Sequence, residues 1–324
     1  MESIATRPLN MAFLGCGFAT RMHSKTLSRL RNQTRLYYAS RDAQKARQFN
    51  QKYQGAGWFD SYESALASSD IEIIFIATPP HQHLELTIEA LRAGKHVIVE
   101  KPPFFHSSDF DQVMEIAGEC GKNVFVAENY FYKPLAFKLR ALLKEGVIGE
   151  PLFFHFNALK FQRTGDWRDD PHLAGGGALF EGGIHWINFV ANLGFPIETF
   201  QGYIPGEGLL PEKSILIAMK ASKGPVGSLY YSWEVPSIFK GLRLSKIYGR
   251  EGTITFESNG VILIVRGKQK KVIFPGFKDI SGYKGMFIDF FNAIRSGKEP
   301  RFTLEMAKRD LQIIEQIYTT LPKT

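Results

Sequence analysis

The chain holds only two cysteines, Cys16 and Cys120, in 324 residues. That is too few for a disulfide framework or a cysteine-built zinc site, and it points to a reducing, cytoplasmic setting. Long apolar runs are missing too. No stretch approaches the roughly 18 residues that span a bilayer, so no membrane partner is expected. The opening residues, Met1 to Arg7, hold no apolar core of signal-peptide length. Internal repeats and low-complexity tracts are lacking. What remains is a soluble composition, 44% hydrophobic and 22% charged, in a chain long enough for two cores.

Acidic residues are scarce at one end. Residues 1–50 carry nine Lys and Arg against Glu2 and Asp42 alone, within a net charge of +8. A lobe of that sign draws anions. No helix-turn-helix, zinc-finger or aromatic RNA-binding pattern accompanies it, so nucleic acid is not the expected partner. A phosphate-bearing small molecule is.

The first strand, Met11-Ala12-Phe13-Leu14, runs straight into Gly15-Cys16-Gly17-Phe18-Ala19-Thr20, which opens a helix. In such a turn Gly15 permits the bend and Gly17 lets the backbone approach a pyrophosphate held at the helix N-terminus, beside Phe18 and Ala19. Thr20 stands at the third fingerprint position. The second strand, Arg35 to Ala39, ends at Ser40-Arg41-Asp42. An acid here reads the 2′-hydroxyl of NAD, whereas an arginine accommodates the 2′-phosphate of NADP. Arg41, with the Ser40 hydroxyl, argues for NADP and leaves NAD possible; Asp42 suits a helix cap.

Residues 72–77 form a buried strand that delivers Thr78-Pro79-Pro80-His81-Gln82-His83 to the same sheet edge. Thr78, Pro79 and His83 are therefore coenzyme candidates. Ala93-Gly94-Lys95-His96-Val97-Ile98-Val99-Glu100-Lys101-Pro102 reads as a helix stop, a β-branched strand and an abrupt polar exit. Ligands of parallel sheets gather beyond the carboxyl ends of the strands, which makes Lys101 a candidate acid or base and Glu100 its neighbour in the crevice. The plain alternative is a solvated lysine before a turn proline. Strand and helix alternate up to Ala127, the pattern of a doubly wound parallel sheet, so residues 1–128 are expected to form a dinucleotide-binding Rossmann domain.

The character then changes. A helix over 133–146 precedes strand-like segments at 152–160, 198–203, 214–221, 227–234, 242–249, 253–257, 261–265 and 271–274, and helices at 285–296 and 303–321 close the chain. This predicts an α+β domain over 129–324, built on a large open mixed or antiparallel sheet. Within it, Asp166-Trp167-Arg168 leads through Gly175-Gly176-Gly177 to a segment read as one helix ending near Leu193. Glu181, His185 and Asn188 would share one face of that helix. A polar stripe on an apolar helix needs satisfied partners. A core histidine accepted by Glu181 is one reading; a metal site lacks a third ligand, and no metal is expected. Trp167 and Arg168 could wall and clamp a substrate or serve as packing and surface. Phe161, Trp186 and Trp233 join Trp167 as candidates for an aromatic face against a substrate.

Taken together, the Gly15-x-Gly17 turn, Ala77-Thr78-Pro79 with His83, Ala93 to Val97 running into Glu100-Lys101-Pro102, Trp167-Arg168 and Gly175 to His185 resemble the Gfo/Idh/MocA oxidoreductases. The resemblance implies a Rossmann domain followed by a large open sheet whose outer face builds homodimers or homotetramers. It places the family's catalytic lysine on Lys101, its aspartate on Glu181 and its histidine on His185. Glu181 stands where aspartate is usual and Asn188 where a second aspartate is usual, and Tyr132-Lys133-Pro134 lacks an arginine common before that proline. The implied activity is hydride transfer between NADP(H) and a sugar, cyclitol or related hydroxyl or keto compound. In it His185 moves the hydroxyl proton, Lys101 binds the substrate oxygen, and Glu181 orients His185 or holds Lys101. Rival expectations are a silent dinucleotide-binding sensor and a glycosidase or lyase that uses the coenzyme transiently.

Overall fold

The computed structural model describes residues 7–165, 167–206, 210–236 and 242–321. Its chain groups into two compact units, Met1–Ala127 with Tyr283–Lys308, and Glu128–Gly282 with Arg309–Thr324. A single cut after residue 128 does not describe this grouping. The helix Tyr283–Ser296 buries Met286, Phe287, Phe290 and Phe291, and Phe290 stacks on Phe125 with ring centroids 4.7 Å apart. Apolar burial of that size ties the returning helix to the first core.

The first unit is built on six parallel strands: β1 (Leu9–Leu14), β2 (Thr34–Ala39), β3 (Gly57–Phe59), β4 (Ile73–Ile76), β5 (His96–Val99) and β6 (Val124–Val126). Their order is β3-β2-β1-β4-β5-β6. Helices α1 (Phe18–Leu27), α2 (Ala43–Tyr53), α3 (Tyr62–Ala67), α4 (His83–Arg92) and α5 (Asp109–Cys120) intervene. Every residue of β4 is buried, which is why this strand reads as a continuous apolar run rather than an alternation. The connections change direction between β1 and β4, the switch point where a parallel sheet opens a ligand crevice.

The second unit holds eight strands: β7 (Pro151–Leu159), β8 (Ile197–Tyr203), β9 (Ser214–Ala221), β10 (Val226–Ser232), β11 (Leu244–Gly249), β12 (Gly252–Glu257), β13 (Leu263–Arg266) and β14 (Lys270–Ile273). They run in the order β14-β13-β12-β11-β7-β10-β9-β8, antiparallel except for the β7/β10 pair. The mixed open sheet expected from the sequence is therefore present. On β9, Ile215, Ile217, Met219 and Ala221 alternate inward, as a half-covered strand requires. Helix α6 (Pro134–Lys144) precedes the sheet, the short α7 (Pro171–Ala174) follows β7, and α8 (Ile184–Ala191) packs on the inner face of the sheet, where Phe189 meets Phe156 and Phe256.

The single helix expected up to Leu193 is interrupted. Residues Leu179–Gly183 form a wider π-type turn before α8 begins. Among the described residues no helix is long and apolar enough to cross a membrane.

Candidate active site

In the first unit the expected coenzyme residues follow the carboxyl ends of neighbouring strands. Gly15 leaves β1 with φ +101°, and a Cβ there would lie 2.9 Å from the Ala77 carbonyl oxygen. Both the backbone conformation and the close passage of the β4 exit demand glycine. Gly17 caps α1 with no side-chain hydrogen bond, so the first-turn amides keep their capacity for an anion. Thr20 is buried and its hydroxyl donates to the Gly15 carbonyl at 2.6 Å, closing the turn where a third glycine would have stood. Exposed Phe18 and half-buried Ala19 begin the helix. These features fit a dinucleotide pyrophosphate.

At the end of β2, the Asp42 backbone N–H donates to Ser40 Oγ at 3.1 Å. Asp42 itself accepts from the Gln44 and Lys45 amides at 3.0 and 3.2 Å and so caps α2. Arg41 is exposed and hydrogen-bonds Tyr62, whose hydroxyl is pushed up by burial against the opposing pull of that guanidinium.

Beyond β5, Glu100 is enclosed. Its Oε1 pairs with His23 Nε2 from α1, and its Oε2 accepts the Lys101 backbone N–H at 3.0 Å. Burial pushes this carboxyl up, but the charges and hydrogen bonds of His23 and Lys101 outweigh it and hold Glu100 below its ordinary value. Its carboxylate thus braces the loop that carries Lys101. The Lys101–Pro102 peptide is cis. His83 behaves similarly: its ring is buried, with Nδ1 2.9 Å from the Pro102 carbonyl and Nε2 2.9 Å from that of Thr78. Burial lowers its proton affinity although both carbonyls raise it. The imidazole thus ties the Thr78-Pro79 loop to the Lys101 loop.

In the second unit His185 stands at the start of α8. Its Nδ1 lies 2.7 and 2.9 Å from the two carboxylate oxygens of Glu128, a residue only 2% exposed. The Tyr130 ring stacks on the imidazole with centroids 4.5 Å apart and planes 11° from parallel, and Lys133 Nζ sits 4.2 Å from the centre of that tyrosine. Burial pulls the Lys133 ammonium down to about 8, with Arg243 adding to the fall and Glu257 and Glu128 opposing it. Sequence reasoning passed over Glu128. The signal was available: it follows the Val124-Phe125-Val126-Ala127 apolar run, as Glu100 follows β5.

The carboxylate found on His185 is therefore Glu128, where Glu181 was expected. Glu181 Oε1 instead accepts from Arg168 Nε and a terminal guanidinium nitrogen at 3.3 and 3.2 Å. The π-type turn supplies the reason, since it breaks the helical register that would have set Glu181 directly over His185. Arg168 also lies over the Trp167 ring at 4.4 Å. Asn188 Nδ2 donates to Asp310 Oδ2 at 2.6 Å. Asp310 is pushed up to about 7 by burial, against the pull of Arg309 and Asn188. Trp186 and Trp233 are buried, so neither presents an open aromatic face, whereas Phe161 is exposed. A cleft of about 300 Å³ is lined by Arg168, Gly177, Glu212, Lys213 and Trp233.

Family comparisons agree with this architecture. Residues 9–128 match the Gfo/Idh/MocA model described as an oxidoreductase family with an NAD-binding Rossmann fold, and residues 137–255 match a Gfo/Idh/MocA C-terminal domain. A levoglucosan dehydrogenase of Pseudarthrobacter phenanthrenivorans is 26% identical over 243 residues, 67% of this chain and 60% of that one. The D-glucoside 3-dehydrogenase of Escherichia coli is 26% identical over 199 residues, 60% of this chain and 57% of its own. The chain thus spans about three-fifths of the length of these curated relatives. An oxidoreductase of Thermotoga maritima of known crystal structure superposes with a TM-score of 0.86 over 97% of each chain at 25% identity. On these matches and the two-sheet architecture, the chain belongs to the Gfo/Idh/MocA oxidoreductase family.

Proposed function

We propose that the protein is an NADP(H)-dependent oxidoreductase that transfers hydride between the coenzyme and a sugar, cyclitol or related hydroxyl or keto compound. The observation that carries this reading is the imidazole of His185 held by a buried carboxylate, in a chain whose other unit offers a pyrophosphate cradle at Gly15–Phe18. A bound nicotinamide supplies the hydride acceptor or donor. The chain's own groups do the rest. Lys101 would donate a hydrogen bond to the substrate oxygen, and His185 would take the hydroxyl proton on oxidation and return it on reduction. Thr78 and Pro79 border the coenzyme crevice. Trp167, Arg168 and Glu181 form the substrate side in this reading, and of them Arg168 lines a cleft of about 300 Å³, the size of a small-ligand site. The names of the two curated relatives, a levoglucosan and a glucoside dehydrogenase, support a sugar-like substrate. The outer face of the eight-stranded sheet exposes Phe153 and Tyr203, each 55% accessible, which supports a homodimer or homotetramer.

Fluorescence titration with NADPH and NADH, followed by a screen of sugars, inositols and keto-sugars, tests the reading. Lys101→Met is expected to keep coenzyme binding and to lose turnover by about 100-fold or more. Turnover by Lys101→Met at the wild-type rate, or no coenzyme binding by the wild type, contradicts it.

A further inference from the structure

We infer that Glu128 is a positioning residue that fixes the tautomer of His185, with the proton on Nδ1 and the lone pair on Nε2. The inference rests on the reading of His185 as proton acceptor only for its consequence in turnover; the tautomer itself follows from geometry. Both oxygens of Glu128 lie within 2.9 Å of Nδ1, and an ionised carboxylate can only accept. A neutral imidazole facing it therefore carries its hydrogen on Nδ1. Glu128 is itself held, since its Oε1 accepts the Tyr130 backbone N–H at 2.9 Å. Tyr130 then returns along the chain to stack on the imidazole, so the same short turn sets both the direction and the plane of the ring. Lys133, three residues beyond Tyr130, ends the turn with its Nζ 4.2 Å from the centre of the tyrosine ring.

Two consequences separate Glu128 from Glu181, whose carboxylate is engaged by Arg168. Only loss of the former frees the imidazole. A histidine in the other tautomer offers Nδ1 instead of Nε2 as base, and general base catalysis at the original atom is lost.

The test is nitrogen-15 NMR of the full chain labelled at histidine, without substrate, near pH 8. Wild type is expected to show His185 with a protonated Nδ1 and an unprotonated Nε2. Glu128→Gln, whose amide can accept or donate, is expected to lose that single tautomer, whereas Glu128→Asp keeps it and Glu181→Gln leaves it unchanged. A wild-type ring protonated on Nε2 overturns the inference, and this needs no variant to fold. An unchanged tautomer in a folded Glu128→Gln overturns it equally. In turnover, Glu128→Gln is expected to lower kcat by about 100-fold with KM little changed, and Glu128→Asp to restore part of it. A changed tautomer with unchanged kcat upholds the tautomer assignment and instead removes His185 from the reaction proposed above.

Discussion

Arg41 and Asp42 sit side by side after β2, and their hydrogen bonds divide their roles. Asp42 is committed to the α2 amides, so it is engaged as a cap where an NAD-reading acid would have to face a ribose. Arg41 is exposed beside Tyr62, and its charge suits a 2′-phosphate. Arg41→Asp is expected to weaken NADPH binding at least tenfold more than NADH binding in parallel fluorescence titrations; equal losses remove Arg41 as a phosphate ligand. Asp310 gives a second residue-scale prediction. Its pKa stands at about 7 in the fold against an ordinary 3.8, so the fold favours the protonated acid. The stability it contributes is full below about 3.8 and is lost as pH rises through about 7. Urea unfolding at a series of pH values should therefore show Asp310→Asn gaining on the wild type from pH 4 to pH 8. Parallel pH profiles would contradict the assignment.

At the scale of elements, the turn Leu179–Gly183 decides what the polar stripe becomes. Gly182 packs against the Tyr231 hydroxyl, where any Cβ would collide, with the Trp233 indole nitrogen next in line. Tyr231 in turn accepts from that indole at 3.2 Å. Gly182→Ala is expected to lower unfolding free energy by about 1–3 kcal/mol through overpacking, read as a reduced urea midpoint. An unchanged midpoint would show that the turn yields without cost. The elements themselves were largely legible: β-branched runs such as Val97-Ile98-Val99 and alternating segments such as 214–221 announce strands by period alone. Short β3, three residues at the sheet edge, carries too little pattern to be read. The π-type turn also escaped, because a glycine pair inside an apolar segment lowers helix propensity without stating which register replaces it. That register is what moved Glu181 onto Arg168 and left His185 to Glu128. Lys101 and His185 were readable because each breaks an apolar segment. Glu128 broke one as well, but its partner lies 57 positions away, and no local spacing rule links the two.

For the whole molecule, the reaction proposed above draws on residues of both units. One supplies the glycine turn, the Arg41 corner and Lys101; the other supplies His185 with its buried carboxylate and the cleft beside Arg168. The proposed reaction needs both, so the groups must act as one device rather than as two additive aids. Residues that act as a unit show strongly non-additive losses. The most direct test is a double-mutant cycle of Lys101→Met and His185→Ala, measured as kcat on one substrate identified by the coenzyme-coupled screen. Each single change is predicted to cost about 100-fold or more, and the double change to cost little beyond the worse single one. Losses that multiply, or a single variant that turns over at the wild-type rate, would contradict the account.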